Sequence, residues 1–317
     1  MSRILLTAVG SMAAGPAARR YQALGHAVFG CDIYPREWTA LAGELEFFQA
    51  RLATEGEPYV EQLREAVRRD MLDFLIPLTD PEVDALAPRK AEFRALGCTV
   101  CVPEERVAAL CRRKDKMNRF LAEKQVCRLI PTESAVSGQP CPFPFPAMVK
   151  PRSGRSSLGQ AVAADEKSYQ TALAGREDCI VQPFLEGDIF CVDVARDAFG
   201  HTRAAARQEL LRNKSGLGMT VEVLPGHPLE AVCAAIAEAV GLVGVVNMEF
   251  IRHGDDFFFL EVNPRFSGGV GFSMAAGMDF AEMMLCCHSC GSVEAFPAAP
   301  KHALLARESA IVLTQLR

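Results

Sequence analysis

The sequence predicts an α/β unit with a parallel sheet, followed by an α+β unit. In the first hundred residues, short apolar segments alternate with helical ones, and this alternation is typical of parallel strands joined by crossover helices. From Ile189 onward several strand-like segments follow one another with few helices between them, which favours an antiparallel sheet. A segment rich in Pro, Gly and Ser, residues 131–162, separates the two patterns.

The predicted elements follow from this periodicity. Strands are expected at 4–9, 27–32, 74–77, 98–102 and 146–150, and helices at 13–24, 58–69, 82–96, 104–124, 228–240 and 279–287. An apolar stretch over 231–248 resembles a membrane span in length. Glu238 and two glycines interrupt it, and its second half has the character of a strand. We therefore expect no membrane span, no targeting segment and a cytoplasmic location.

Composition excludes several classes of protein. The chain has 317 residues, with 34 basic and 39 acidic side chains and a net charge of −5. This balance is that of a globular protein, and the absence of a basic surplus argues against a general nucleic-acid binder. The turn after the first strand carries Gly10 and Gly15, and Asp32 closes the second strand. The glycine spacing is not that of a dinucleotide fingerprint, so a plain glycine turn is favoured over nicotinamide binding.

A second glycine-rich loop follows Lys150. Gly154, Gly159 and neighbouring serines give a loop with many hydrogen-bond donors, and such loops can close over a polyphosphate. Lys116, within a charged helix, is a second candidate cation. Taken alone, both features are also typical of a solvated surface.

The most informative pattern is VVNMEFIRHGDDFFFLEVNPRFSGG, which predicts a hairpin of two strands at 245–252 and 257–262. Glu249 and Glu261 have apolar neighbours, and a carboxylate inside a buried strand is costly unless it is paired or binds a cation. Glu261 and Asn263 share a face, and Glu249 joins them if the hairpin loop has an odd number of residues. These oxygen ligands suit Mg²⁺, and Arg265 could hold a phosphoryl group.

Together, VKPRSGRSSLG, VQPFLEGDIFCVDV and NMEF…FLEVNPRFSGG resemble the ATP-grasp superfamily, in its order and spacing. The overall pattern is similar to one synthetase half of the carbamoyl phosphate synthase large subunit. The resemblance implies a pre-ATP-grasp α/β domain (1–103), linker helices with a lid subdomain (104–186) and a C-terminal ATP-grasp subdomain with an antiparallel sheet and the metal site (187–317).

The resemblance also implies ATP and Mg²⁺, with Mn²⁺ as an alternative, and a role for individual residues. Arg265 and Lys150 would be catalytic, and Glu249, Glu261 and Asn263 would hold the metal. The expected ATP contacts are Lys116, Lys150, Gly154, Ser156, Ser157, Gln182, Pro183, Phe184, Leu185 and Asp188. The expected substrate contacts are Arg207, Ser267, Gly268 and Gly269.

One position departs from the superfamily pattern. After the hinge the usual order is Gly-x-Glu, but here Ile189 occupies the Glu position and Asp188 precedes it. Either Asp188 substitutes for that Glu or ribose recognition is weaker.

The implied activity is ATP-dependent ligation of a carboxylic acid to an amine or a thiol through an acyl phosphate, with release of ADP and phosphate. The implied partners are small molecules, and a homodimer is expected because many relatives are dimers. Two alternatives stay open: a bicarbonate-activating synthase of the carbamoyl-phosphate type, and a non-catalytic nucleotide-binding module.

The 12 cysteines are a separate question. CTVC at 98–101 and CCHSC at 286–290 invite a zinc hypothesis, but the first lies on a predicted strand, where positions three apart face opposite sides. We expect most of the cysteines to fill the core as small apolar side chains.

Overall fold

The computed structural model describes residues 1–154 and 158–315. Its N-terminal unit contains β1 (Arg3–Leu6), α1 (Ala14–Ala23), β2 (Ala27–Asp32), β3 (Glu46–Gln49), α2 (Glu57–Asp70), β4 (Phe74–Ile76), α3 (Asp80–Leu86), α4 (Lys90–Ala95) and β5 (Thr99–Val100). The strands form a parallel sheet in the order β3-β2-β1-β4-β5. The predicted parallel sheet is thus confirmed.

Two details of this unit differ from the prediction. Strand β3 was not predicted, because it is a four-residue edge strand with little apolar alternation. The helix predicted over 82–96 is two helices, separated by a turn of 3₁₀ helix that contains Pro88. Proline lacks the backbone N–H that a continuous helix would use at this point.

The middle of the chain contains α5 (Glu105–Arg112), α6 (Lys114–Lys124), β6 (Arg128–Leu129), β7 (Glu133–Ala135), β8 (Ala147–Pro151), β9 (Ala161–Ala163), α7 (Glu166–Leu173) and β10 (Cys179–Pro183). Four of these strands form an antiparallel sheet in the order β7-β10-β8-β9. Lys150 lies near the end of β8, as the sequence predicts, and the glycine-rich loop follows it.

The last part contains β11 (Asp188–Arg196), β12 (Thr202–Arg212), β13 (Gly218–Val223), α8 (Pro228–Val240), β14 (Gly244–His253), β15 (Asp256–Asn263), α9 (Val270–Ala275), α10 (Phe280–His288) and β16 (Ala303–Ala306). The third sheet has the order β16-β13-β12-β11-β14-β15-β6 and is antiparallel except for the β15–β6 pair. The predicted antiparallel sheet is confirmed. Because β6 comes from the middle segment, the division at 103 and 186 stays a prediction.

The apolar stretch at 231–248 is the end of α8 followed by the start of β14. The helix ends at Val240, and Gly241 takes the left-handed backbone conformation (φ 70°) that turns the chain into the strand. Within the described ranges, none of the helices combines the length and apolar character that a membrane span requires.

The cysteines mostly fill the core, as predicted. Eight of the twelve are buried. Cys98 and Cys101 lie on opposite sides of the first sheet, because Cys98 packs with α2 whereas Cys101 packs in the same cluster as Cys287. The latter cluster joins α1 to α9 and α10, so the first and last parts of the chain share a core.

Candidate active site

The two carboxylates of the predicted metal site face each other across the β14–β15 hairpin. Glu249 lies directly opposite Glu261. Side chains of directly opposed residues in an antiparallel pair project to the same face of the sheet. Asn263 lies two residues after Glu261, so its side chain is on that face as well. The predicted cluster of two carboxylates and one amide is therefore assembled.

A β-bulge gives this cluster its register. We expected the shared face to follow from an odd-numbered loop, but the turn has two residues, Gly254 and Asp255. The register instead shifts between Glu249 and Phe250, which leaves Leu260 as an extra residue in β15. One extra residue reverses the alternation beyond it and turns Glu261 to the face of Glu249. The shared face is thus present without the odd-numbered loop on which it was conditional, and the bulge is its cause.

The three side chains are within contact distance of each other. The Asn263 amide nitrogen lies 3.3 Å from Glu249 Oε1 and 3.4 Å from Glu261 Oε1, and it donates to both. Burial, together with the charge of Glu261, raises the pKa of Glu249 to about 7. Arg212 lies 3.9 Å from Glu249, too far to offset this effect fully. The pKa of Glu249 is thus close to 7, because desolvation and the charge of Glu261 both disfavour the ionised carboxylate.

Two lysines lie on the Glu261 side of the cluster. Lys114 Nζ is 2.9 Å from Glu261 Oε2, and the lysine is buried. Burial opposes ionisation of Glu261, but Lys114 outweighs it and lowers the pKa of that carboxyl. Burial lowers the pKa of Lys150 to about 8, against the opposing effect of Glu261. Positive charge is thus concentrated beside Glu261 rather than beside Glu249.

The lysine that reaches the cluster is Lys114 and not Lys116, which corrects the prediction. Lys114 shares the buried face of α6 with Met117 and Leu121, whereas Lys116 is exposed. Residues two apart on a helix point to nearly opposite sides, so only one of these lysines can face the sheet. The spacing of Lys114, Met117 and Leu121 is a signal in the sequence that would have identified the inward lysine.

Arg265 joins this cluster to the N-terminal unit. Its guanidinium makes a bidentate ion pair with Asp80, at 3.0 and 3.1 Å, and it donates to Asn263 Oδ1 at 3.3 Å. Asp80 is fully buried at the start of α3. A bidentate pair fixes the plane of the guanidinium. Sequence reasoning missed Asp80 as the partner, because 185 residues separate the pair.

The predicted substrate contacts lie in a second polar cluster. Arg207 Nη1 is 2.6 Å from Asp193 Oδ2 and 3.2 Å from Ser273 Oγ, and Nη2 is 3.1 Å from Ser267 Oγ. All four residues are buried. A side chain on Gly269 would meet Arg207 Nη2 at 2.7 Å, so glycine leaves room for the guanidinium. Arg207, Ser267 and Gly269 are thus brought together, and Gly268 lies between the last two.

Two adjoining cavities meet at the carboxylates. The larger, of about 420 Å³, is lined by residues that include Asp80, Arg207, Glu249, Glu261, Asn263, Arg265, Ser267, Gly268 and Gly269. The smaller, of about 270 Å³, is lined by residues that include Lys150, Gln182, Pro183, Phe184, Leu185, Ile189, Glu249 and Glu261. The hinge residues and the metal cluster predicted from the sequence therefore line neighbouring cavities, and Glu249 and Glu261 belong to the wall of both.

Some backbone and side-chain groups of the hinge are already engaged. The Phe184 N–H donates to the Pro146 carbonyl at 3.1 Å, and Gln182 Nε2 donates to Thr132 Oγ1 at 2.6 Å. Gln182 is buried, and the two bonds tie the hinge strand to the chain just before β8 and just before β7, respectively. The aliphatic side chains of Ile189 and Leu260 complete an apolar wall of the smaller cavity.

Asp188 lies apart from the two cavities, and its predicted contact with the ribose stays a prediction. Asp188 is exposed, pairs with Arg252 and is absent from the described lining of both cavities, whereas Ile189 lines the smaller one. Among the loop residues predicted to contact phosphate, Gly154 does not line either cavity in the described structure. Ser156 and Ser157 lie outside the described residues.

Comparisons with known proteins give a family match and similar sequences. Residues 175–309 match the family model described as ATP-grasp in the biosynthetic pathway with Ter operon. A formate-dependent phosphoribosylglycinamide formyltransferase from Synechococcus sp. (strain CC9605) is 27% identical over 275 residues, which cover 77% of this chain and 64% of that protein. The chain therefore spans less than two thirds of the length of that relative.

Solved structures share the fold. The biotin carboxylase–β-γ-ATP complex from Campylobacter jejuni matches with a TM-score of 0.76 and 16% identity, over 96% of this chain and 74% of that one. An L-amino acid ligase from Bacillus licheniformis matches with a TM-score of 0.70 and 14% identity, over 90% and 73% of the two chains. Carbamoyl phosphate synthase is a loose comparison beside these proteins.

Proposed function

Because the chain belongs to the ATP-grasp superfamily, we propose that it activates a small carboxylic acid with ATP and transfers the acyl group to an amine. ADP and phosphate would be the other products. The observation that supports this most strongly is the facing pair Glu249 and Glu261, which lines both cavities. We also propose the domain division at 103 and 186, a cytoplasmic location and a homodimer.

The residues present fit a divalent cation. Glu249 keeps only 21% of its side-chain surface exposed, and the cations near it leave its charge incompletely offset, so that its pKa rises to about 7. A divalent ion would supply the missing positive charge, and carboxylate and amide oxygens are the ligands that Mg²⁺ accepts together with nucleotide phosphates. Glu249, Glu261 and Asn263 would hold the ion. Asn263 would need to rotate its amide so that the oxygen, not the nitrogen, faces the carboxylates.

The nucleotide would lie in the smaller cavity. Its base would pack against the wall formed by Ile189 and Leu260, with the hinge at Gln182 to Leu185 along its edge. Lys150 would donate to the phosphates, and a phosphate beside it would keep the amine protonated. The bound metal would neutralise charge on the phosphate oxygens.

The acid would occupy the larger cavity, where Arg265 faces the same space as the carboxylates. Its carboxylate oxygen would form a bond to the γ-phosphorus while the bond to ADP breaks, giving an acyl phosphate. Arg265, held in its plane by Asp80, would stabilise the charge on the transferred phosphoryl group. This arrangement relies on position and charge, and it assigns no side chain as a nucleophile.

The amine would complete the reaction. Its nitrogen would attack the acyl carbon, the carbon–nitrogen bond would form, and phosphate would leave with the electron pair of the broken carbon–oxygen bond. The nitrogen would release one proton. The formyltransferase relatives make formate a specific candidate for the acid, and bicarbonate stays the alternative that the resemblance to carbamoyl phosphate synthase implies.

A screen of phosphate release tests this proposal. Formate, bicarbonate and a panel of carboxylic acids would be offered with Mg²⁺ and ATP, and hydroxylamine would trap any acyl phosphate formed without an amine. We expect a hydroxamate with one acid class. Glu261→Gln should reduce trapping by at least about 100-fold, because a metal ligand and its charge are lost.

Glu238→Gln is the matched control, since Glu238 is exposed on α8. It should leave trapping unchanged. ATP binding without turnover over the whole panel would instead support a non-catalytic nucleotide-binding module.

A further inference from the structure

Arg212 is a cation of the candidate active site to which the proposed function assigns no role. It is the last residue of β12, and it belongs to the described lining of both cavities. Lys150 lines the smaller cavity alone, and Arg265 lines the larger one alone. Within the described lining, Arg212 is therefore the one cationic side chain that belongs to both walls.

A β-bulge brings Arg212 to this position. Strict alternation from Glu209 would place Leu211 on the cavity face of β12 and Arg212 on the opposite face. The pairing with β13 instead skips Leu210, so that Leu211 lies opposite Thr220. The extra residue reverses the alternation, and as a result Leu210 and Leu211 are exposed whereas Arg212 returns to the face of Glu209. The fold thus presents an arginine where regular alternation would have presented a leucine.

One edge of the Arg212 guanidinium is held by a buried carboxylate, and the other edge is unengaged. Nε donates to Glu209 Oε2 at 3.0 Å, and only 4% of the Glu209 side chain is exposed. Nη1 and Nη2 have no hydrogen-bond partner among the described residues, since Glu249 Oε2 lies 3.9 Å from Nη2, beyond hydrogen-bond distance. A guanidinium oriented through Nε presents its two remaining amino groups in one plane, a geometry that suits phosphoryl oxygens.

The turn that follows Arg212 does not offer such donors. Ser215 and Gly216 also line both cavities. The N–H and Oγ of Ser215 donate to Asn213 Oδ1 at 3.0 and 2.8 Å, and the Gly216 N–H donates to the Asn213 carbonyl at 3.0 Å. These groups are engaged within the turn. Among the described residues that line both cavities, the unengaged donors are therefore those of Arg212.

From these observations we propose that Arg212 is a catalytic residue that contacts the phosphoryl group while it passes from the nucleotide to the acid. The proposal rests on the function proposed above, in which the two substrates occupy the two cavities. The bond from the γ-phosphorus to the ADP oxygen breaks while the bond to the carboxylate oxygen of the acid forms. During this step Nη1 and Nη2 would donate to the non-bridging oxygens of the transferred group.

The position of Arg212 determines which kinetic constant it should affect. The transferred group lies at the junction of the two cavities only during transfer, so the contact is stronger in the transition state than with bound ATP. Such a contact raises kcat and leaves the KM for ATP nearly unchanged. A residue that only maintained the shape of the site would affect nucleotide binding as well.

A transition-state analogue tests the proposal without turnover. ADP with aluminium fluoride and Mg²⁺ imitates the phosphoryl group in transfer, and isothermal titration calorimetry would compare its affinity with that of MgADP alone. We expect Arg212→Ala to weaken binding of the analogue by about 100-fold and binding of MgADP by less than about twofold. Hydroxamate formation should fall by about 100-fold, at an unchanged KM for ATP.

Arg128→Ala is the matched control, because Arg128 is a strand arginine with an acidic partner, Asp256 at 3.0 Å, and lies outside the described lining of both cavities. It should bind both ligands like the wild type. Arg212→Gln retains an N–H donor for Glu209 and should show the same selective loss as Arg212→Ala. Unchanged affinity for the analogue in these two Arg212 variants would overturn the proposal, and so would an equal loss of MgADP binding and analogue binding.

The analogue also separates this inference from the proposed function. If the wild type binds the analogue more tightly than MgADP and Arg212→Ala keeps that preference, phosphoryl transfer stands and the role of Arg212 is removed. If the wild type shows no preference for the analogue and no acid gives a hydroxamate, the proposed function fails, and this inference fails with it.

Discussion

Two polar clusters line the larger cavity of the candidate active site, and they differ in how their charges are arranged. In the Arg207 cluster each charge has a close partner: Arg207 pairs with Asp193 at 2.6 Å, and Arg212 pairs with Glu209 at 3.0 Å. In the hairpin cluster Lys114 lies against Glu261. Among the ion pairs of the described residues, Glu249 takes part in one, with Arg212, which is 3.9 Å away and already pairs with Glu209.

This difference separates a framework from a binding site. In a buried ion pair the two charges compensate each other, and removal of one member leaves the other charge uncompensated. A buried carboxylate without a full partner is destabilising until a cation arrives. The Arg207 cluster therefore has the character of a preformed wall, and the hairpin cluster that of a site completed by its ligand.

The largest effect should come from breaking the complete pair. Asp193→Asn would leave the Arg207 charge without its carboxylate, and we expect the free energy of unfolding to fall by about 3–5 kcal/mol. Urea unfolding followed by circular dichroism would measure it. The double variant Asp193→Leu with Arg207→Met should recover much of the loss, because both charges are then absent. A single variant as stable as the wild type would show that the pair is not a framework.

At the hairpin, by contrast, we expect a substitution to raise the free energy of unfolding. Burial and Glu261 raise the pKa of Glu249 to about 7, above its ordinary value near 4.5. The folded state then holds the proton more tightly than the unfolded state, so stability is lost as the pH rises between these two values. Without metal, Glu249→Gln should therefore be more stable than the wild type by about 1–3 kcal/mol at pH 8.

At about pH 4.5 the difference in stability between Glu249→Gln and the wild type should almost vanish, because Glu249 is then protonated in the folded wild type and its ionised form costs no stability. Mg²⁺ with ATP should raise the melting temperature of the wild type at pH 8 and that of Glu249→Gln much less. Equal stability of the two metal-free proteins across the pH range would show that Glu249 is already compensated in the fold.

The two clusters also show what the sequence could and could not predict. Strand periodicity was enough to place Glu261 and Asn263 on one face, because they lie two residues apart in the same strand, but it did not place Glu249 there. The bulge at Leu260 could not be seen, because an extra residue in a strand leaves the apolar pattern nearly unchanged. Asp80 could not be predicted either, since it reaches Arg265 through the packing of two distant units. Position alone made Asp188 a candidate, but its side chain points to Arg252.

The smallest effect, and the sharpest test of the geometry, concerns Lys114 and Lys116. Lys114 supplies the positive charge closest to Glu261, at 2.9 Å. Lys114→Met should therefore leave Glu261, like Glu249, without a closely paired cation. We expect hydroxamate formation to fall by roughly tenfold, as for the loss of one charge-assisted hydrogen bond. Lys116→Met removes the same charge from the exposed face of α6, and its rate should match the wild type. If Lys116→Met were the slower variant, the orientation of α6 against the hairpin would be wrong, and the assignment of Lys114 to this site would fail with it.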